Sequence, residues 1–246
     1  MNQNVFDKFQ VNGRFWAPGR DLVGADLSGL NQDPVFGFER NLIWANLVGC
    51  NLTGANLSNS RMNSADMKGA NLTGANLSGS DLGGANLTGA NLTAASLDST
   101  KMDCVWLRGA QLNCIDFDQV DLGGANLDLI NLRGVNLVGV QLYGASIENA
   151  DLRDANLRNS DLSHAELSGS DLRGAVLRDA NLSCANFTGA DLKGADLRYA
   201  NLICANLTGA DLTEANLAGA HLGGASLAGT NLKNANLTGA TMPDED

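Results

Sequence analysis

The sequence predicts an all-β solenoid that turns a corner every five residues. Three observations carry that prediction. Every fifth residue from Leu42 through Met242 is large and apolar; of these 41 positions 34 are Leu, and the others are Met62, Met67, Met102, Met242, Phe117, Phe187 and Ile147. Two residues before each stands a small one; of the 40 sites from Ala45 to Ala240, 27 are Ala and seven more are Cys, Ser or Thr. The residue between the two is mostly Asn or Asp, as in Ala55-Asn56-Leu57.

A period of five excludes an amphipathic helix, whose apolar stripe recurs every 3.6 residues. It also excludes a simple strand, which alternates with a period of two. A spacing of two and then three fits a short strand that points Ala and Leu inward, followed by a corner. The Gly and Asn residues near the corner, as in Leu52-Thr53-Gly54 and Leu57-Ser58-Asn59, suit positive backbone φ angles.

The run A-(D/N)-L-x-x, repeated in phase from about Asp21 to Met242, resembles the pentapeptide repeat family. That resemblance implies a right-handed quadrilateral parallel β-helix with four pentapeptides per coil. Right-handedness agrees with the general preference of parallel β connections. Residues one coil apart then stack at about 4.8 Å, and about ten coils make a rod roughly 50 Å long. Rings of Leu alternate with rings of Ala along its interior.

Residues 1–40 depart from the pattern and read as an N-terminal cap, with 41–246 as the regular β-helix. Leu22 and Leu27 fit the five-residue phase, whereas the segment from Asn31 to Arg40 breaks it. That segment reads as two distorted repeats or as a loop. The aromatic residues Phe6, Phe9, Phe15, Trp16, Phe36 and Phe38 gather here and suit a cover for the open end of the core, which solenoids require. At the other end, Pro243 and the acidic residues after it discourage edge-to-edge strand pairing. The C-terminal helical extension through which some relatives dimerise is missing, so the expected state is a monomer or a weak end-to-end homodimer.

One zone of the regular rod has a bulkier interior. The small inner site holds Val105, Ile115, Val120, Ile130, Val135 and Val140, Phe117 lies among them, and Trp106 stands beside it. A locally wider waist is expected between 105 and 140.

Composition narrows the function classes. The net charge of −11 argues against direct binding of nucleic-acid phosphates or anionic membrane, both of which need clustered Lys and Arg. No run of about 18 apolar residues exists to span a membrane, and residues 1–10 do not read as a signal peptide. Five cysteines, an odd number, fit reduced thiols in a cytoplasmic protein.

The sequence shows no nucleophile–base pair, phosphate loop or metal motif, so no catalytic residue, cofactor or metal is expected. His164, Cys184 and Cys204 fall in one column, each a coil from the next, but a straight column suits neither tetrahedral zinc nor a disulfide between parallel side chains. Cys50 reads as core, and Cys104 and Cys114 as exposed thiols. The abundant Asp residues read as hydrogen-bond partners of corner backbone.

The outward columns are the candidate binding surface. The site after Leu reads Ser58, Ser78, Asp98, Asp118, Val138, Arg158, Arg178, Arg198 on one face and Arg133, Arg153, Arg173, Lys193 on its neighbour. Asp151, Asp171 and Asp191 lie beside the second column. A basic patch over two faces of the C-terminal half is expected, with an acidic patch of Asp98, Asp103, Asp116, Asp118 and Asp121 near the waist, where Trp106 also stands. The leading reading is a non-catalytic scaffold, regulatory in role, for an unidentified protein partner. The alternative is a DNA mimic acting on DNA gyrase or topoisomerase, as some relatives of similar width and charge do. Net acidity supports that alternative, and the Arg columns interrupt it.

Overall fold

The computed structural model describes residues 21–24, 27, 41–118 and 120–243. The expected cap and the segment 31–40 lie almost wholly outside the described residues. From residue 41 onward the chain winds as a right-handed quadrilateral β-helix in which residues of one coil pair in parallel with their counterparts in the next, Asn41 with Arg61 and Asn46 with Asp66. The four faces are named by their inward Leu: face 1 carries Leu42, face 2 Leu47, face 3 Leu52 and face 4 Leu57, and each recurs once per coil.

Each pentapeptide satisfies its backbone donors in the same way, seen at Asn71-Leu72-Thr73-Gly74-Ala75. Asn71 N–H donates to Cys50 O of the preceding coil, and Leu72 and Gly74 donate to Asn91 and Thr93 of the following coil. Ala75 N–H closes the turn on Leu72 O. The third residue of a turn closed this way has positive φ, as a type II turn requires, and Gly74 is at +64°. Eighteen non-glycine residues adopt the same conformation at that site, so the fold imposes it on whatever residue stands there. One donor, Thr73 N–H, finds no backbone acceptor in this scheme. Asn71 Oδ1 takes it at 3.1 Å. That is why the residue before Leu is Asn or Asp: the side chain supplies the acceptor that the coil lacks.

The interior is apolar and ladder-like. Nearly every Leu and Ala of the pattern is buried, as are Ser60, Ser80, Thr100, Ser160 and Ser170. Wall carbonyls accommodate four of these five hydroxyls: Ser80 Oγ and Thr100 Oγ1 both donate to Leu77 O, Ser160 Oγ to Leu157 O and Ser170 Oγ to Ile147 O, while Ser60 Oγ has no partner among the described residues. Cys50 is buried, as its small inner site suggests, and its thiol donates to Leu22 O.

At the N-terminal end the register shifts. Asp21 pairs with Asn46, five pentapeptides on rather than four, and Leu27 N–H donates to Asn51 O. Leu22 and Leu27 therefore sit on faces 2 and 3, and the chain between Leu27 and Asn41 is one pentapeptide longer than a regular coil needs.

At the waist the ladder opens. Face 4 pairs Asn76 with Ser96 and Asn136 with Asn156, but Asp116 between them joins neither; on face 3, Gln111 does not pair with Asn131. The turn bond from Ile115 N–H to Leu112 O is absent too. Phe117 is buried here, yet an internal Phe alone does not open the wall. Phe187 is also buried and keeps its bond to Asn206 O at 2.7 Å. The difference lies beside the ring. Phe187 stands between Ala185 and Ala190, whereas Phe117 stands between Ile115 and Val120, with Val135 and Val140 in the next coil. Branched side chains in the small ring leave the larger ring no room, and the close-packed interior transmits the excess volume to the wall.

Two outcomes test this account. Asn71→Ala should lower stability by about 1 kcal/mol, the worth of one side-chain hydrogen bond to a backbone donor, measured as a shift in urea midpoint. In native-state hydrogen exchange, the amides of Leu97, Leu112 and Phe117 should exchange faster than those of Leu177, Leu182 and Phe187; equal protection would contradict an opened ladder.

Candidate functional site

The two basic columns occupy adjacent faces, as their spacing requires. Arg133, Arg153, Arg173 and Lys193 project from face 3, and Arg158, Arg178 and Arg198 from face 4. The structure adds what the columns alone do not show, which is that every one of these cations is ion-paired. On face 3, Arg153 reaches Asp151 within its own repeat at 2.5 Å and Asp171 of the next coil at 3.6 Å. Arg173 repeats the step to Asp171 and Asp191, and Lys193 to Asp191 and Asp211. The result is an alternating ladder from Asp151 to Asp211. Arg133 turns to Asp154 at 3.5 Å.

On face 4, Arg198 is held by both oxygens of Asp196. Arg158 and Arg178 share Asp179 at 3.7 and 3.3 Å. The Arg178 guanidinium also lies 5.6 Å from the centre of the Tyr199 ring, in range for a cation–π contact. Tyr199 in turn lies over Gly219, where a Cβ would fall 2.6 Å from the ring. Any side chain at 219 would displace the ring from the next coil.

The ladder is therefore a surface of matched charge rather than a basic patch. On face 3 four cations meet the five carboxylates of Asp151, Asp154, Asp171, Asp191 and Asp211; on face 4 three meet Asp179 and Asp196. The carboxylates titrate accordingly. The Arg153 guanidinium holds Asp151 below the usual range, Arg173 does so for Asp171, and Arg198 for Asp196. Asp211 is lowered to about 2, first by the hydroxyl and backbone N–H of Thr213 and then by Lys193. The Asp residues of the D-L-R repeats thus do two jobs at once. Asp171 Oδ1 accepts the Arg173 backbone N–H that the coil leaves open, while its carboxylate grips the Arg173 side chain.

The acidic residues divide between two faces. Asp98, Asp116 and Asp118 lie on face 4 and Asp103 and Asp121 on face 1, all but the half-buried Asp121 exposed. Face 4 therefore changes along the rod, from the acidic Asp98 and Asp118 through the uncharged Val138 to the paired Arg158, Arg178 and Arg198. Trp106 projects from face 2, apart from both columns, and is 58% exposed.

His164, Cys184 and Cys204 all sit at the positive-φ site of face 1, with φ of 58°, 56° and 58°. Both cysteines are exposed free thiols, as are Cys104 and Cys114. Among the described residues no group of three or more His, Cys, Asp or Glu is placed to hold a metal, and no helix is long and apolar enough to cross a membrane.

A family model described as pentapeptide repeats matches eight copies within residues 41–243. The chain belongs to the pentapeptide repeat family. Among solved structures, it is 32% identical to HetL, a pentapeptide repeat protein involved in heterocyst differentiation regulation from the cyanobacterium Nostoc sp. strain PCC 7120, over 93% of this chain and 92% of that one, with a TM-score of 0.44. It is 18% identical to a trypsin-treated variant of QnrB1, a plasmid-mediated fluoroquinolone resistance protein, over 92% of this chain and 91% of that one, with a TM-score of 0.53. No curated protein matches. The likeness of this pentapeptide repeat protein to QnrB1 shows the fold alone.

Four pairing residues were not singled out from sequence: Asp154, Asp179, Asp196 and Asp211. For Asp211 the signal was present in the coil register. Asp171, Asp191 and Asp211 each stand in the coil after the cation they receive, on the same face and at the slot before Leu.

The lowered carboxylate values set a direction for acid stability. A carboxylate whose folded value lies below its unfolded value of about 3.9 contributes fully above that pH and loses its contribution as pH falls through the folded value. The urea midpoint should hold steady from pH 7 to about 5 and fall between about pH 4 and 2. Arg153→Met with Arg173→Met should make that fall shallower; an unchanged profile would show that the ladder adds nothing, the outcome common for exposed pairs.

Proposed function

We propose that the rod is a rigid, non-catalytic protein-interaction scaffold that docks a regulatory partner on faces 3 and 4 of its C-terminal half. The observation that carries this reading is the outward pattern of face 4, which passes from the acidic Asp98 and Asp118 to the ion-paired Arg158, Arg178 and Arg198. The fold sets the inward residues and leaves the outward columns free, so the pattern there is not a demand of folding. Regulation is what the resemblance to pentapeptide repeat proteins of photosynthetic bacteria implies.

The ion-pair ladder suits such a surface. It holds seven long side chains in fixed columns, which lowers the entropy lost when a partner orders them. A partner that presents carboxylates at the same spacing exchanges for the Asp residues with little desolvation left uncompensated. Steering by such complementary charge sets association rate and specificity more than raw affinity. The four exposed cysteines are unpaired, which supports a reducing compartment such as the cytoplasm.

A second reading, a DNA mimic that engages gyrase or topoisomerase, is favoured by the net charge of −11 and by the acidic residues of faces 1 and 4 near the waist. The matched charges of faces 3 and 4 count against it, because they interrupt a continuous acidic surface.

Immobilised protein, beside a variant with Arg153, Arg158, Arg173 and Arg178 changed to Glu, separates the readings in source-cell lysate analysed by mass spectrometry. The expected result is a protein retained by the wild type and lost by the variant. Retention of a type II topoisomerase by both, with inhibition of supercoiling in a purified assay, would favour the mimic instead. No specific retention by either overturns docking on these faces.

A further inference from the structure

On face 2, well away from the ladder, Lys68, Trp106 and Arg108 line a shallow notch of about 270 Å³ with Asn86, Thr88 and Asn126. Three features set it apart. First, Trp106 occupies the slot that Asn or Asp fills in most repeats. Its indole offers no acceptor for the backbone N–H two residues on, so Trp106 gives up the bond that Asn71 makes for Thr73. Arg61, Lys101 and Val176 break the same rule; of these departures Trp106 is the one that puts an exposed indole in the slot, and departures from a local rule gather at functional or strained sites.

Second, the indole is 58% exposed. Exposed Trp and Arg are the residue types that most often dominate a binding interface.

Third, both cations of the notch lack an ion pair among the described residues. Each of Arg133, Arg153, Arg158, Arg173, Arg178, Lys193 and Arg198 has one; Lys68 and Arg108, like Lys233 farther along face 3, do not, although Asp128 stands one coil beyond Arg108 in the same column. Asp128 is committed elsewhere. Its Oδ1 accepts from Ser146 Oγ at 2.7 Å and from Glu148 N–H at 3.0 Å, and its Oδ2 from Asn126 Nδ2 at 3.1 Å. These bonds draw the carboxylate toward the following coil and leave the Arg108 guanidinium without a partner.

We propose that this notch is a docking site for an acidic segment of a partner protein that carries an aromatic or other apolar side chain. Lys68 and Arg108 stand two coils apart, about 10 Å, which is the span of about three extended residues. Carboxylates at each end of such a stretch meet the two cations, with the Thr88 hydroxyl between them. The apolar side chain lies on the Trp106 indole, and Asn86 and Asn126 flank it with amides able to bond an extended backbone. The notch is half open to solvent and, at about 270 Å³, smaller than the roughly 300 to 1,000 Å³ of enclosing small-molecule pockets. Its shape therefore favours a peptide. This site goes beyond the docking proposed for faces 3 and 4 and does not depend on it.

The probe is a fluorescein-labelled peptide, Glu-Glu-Phe-Glu-Glu, followed by anisotropy with the full chain at low salt. Binding should weaken with salt, as charge-led binding does. It should fall about tenfold or more with Lys68→Glu plus Arg108→Glu, and similarly with Trp106→Ala, losses typical of interface anchors. The variant with Arg153, Arg158, Arg173 and Arg178 changed to Glu should bind as the wild type does, so failure here and failure of the ladder reading stay distinct. All four substituted side chains of that control and the three of the notch are on the surface, and a cooperative thermal transition above the assay temperature establishes folding of each variant. Equal affinity for wild type and the notch variants, or no binding to any form, overturns the proposal. So does Trp106-dependent binding of ATP or inorganic phosphate without binding of the peptide.

Discussion

One hydrogen bond governs this molecule: the backbone N–H of the residue after Leu, taken by the side-chain oxygen of the residue before it. The coil satisfies four of every five backbone donors by stacking and by the type II turn. Where the slot holds another residue, as at Arg61, Trp106 and Val176, that fifth donor has no acceptor within its repeat. Asn or Asp at that slot closes the account locally, within three residues, and frees the repeat from any distant partner. The Leu ring, the small-residue ring and the positive-φ site then follow as requirements of the same corner.

The fold was almost fully legible because all of its rules act within one pentapeptide. Leu42 and Ala45 declare their places by spacing alone. The N-terminal register was not legible, because Leu22 and Leu27 keep the five-residue phase whether a coil holds four repeats or five. Only the pairing of Asp21 with Asn46 reveals the extra one. The waist was legible as bulk, but the sequence did not say which bonds would yield. That depended on Phe117 meeting Ile115 and Val120, a combination the Phe187 repeat avoids.

The candidate surface was legible as columns and misjudged as charge. Arg153, Arg173 and Lys193 were correctly aligned, and Asp151, Asp171 and Asp191 were placed beside them. The expected basic patch set Asp151, Asp171 and Asp191 beside the second column without placing a guanidinium on each carboxylate. In the structure the D-L-R repeats fold each guanidinium back on its own carboxylate and lean it toward the next, so the sign of the surface cancels. Asp154 and Asp179 escaped notice because they stand at the turn site, where the chain bends their side chains toward a neighbouring coil. Trp106 was singled out for its size, but its unpaired neighbours Lys68 and Arg108 depend on the direction in which Asp128 turns.

The additional pentapeptide between Leu27 and Asn41 shows that one turn of this rod can hold five residues more than its neighbours. Asp21 still stacks on Asn46 across it, so the columns before and after the extra residues stay in line. A change of length of this kind is a local edit, absorbed where it occurs, and the outward residues on either side keep the neighbours they had. A lineage of these chains can thus gain or lose a repeat without rewriting the surface of the rest of the rod.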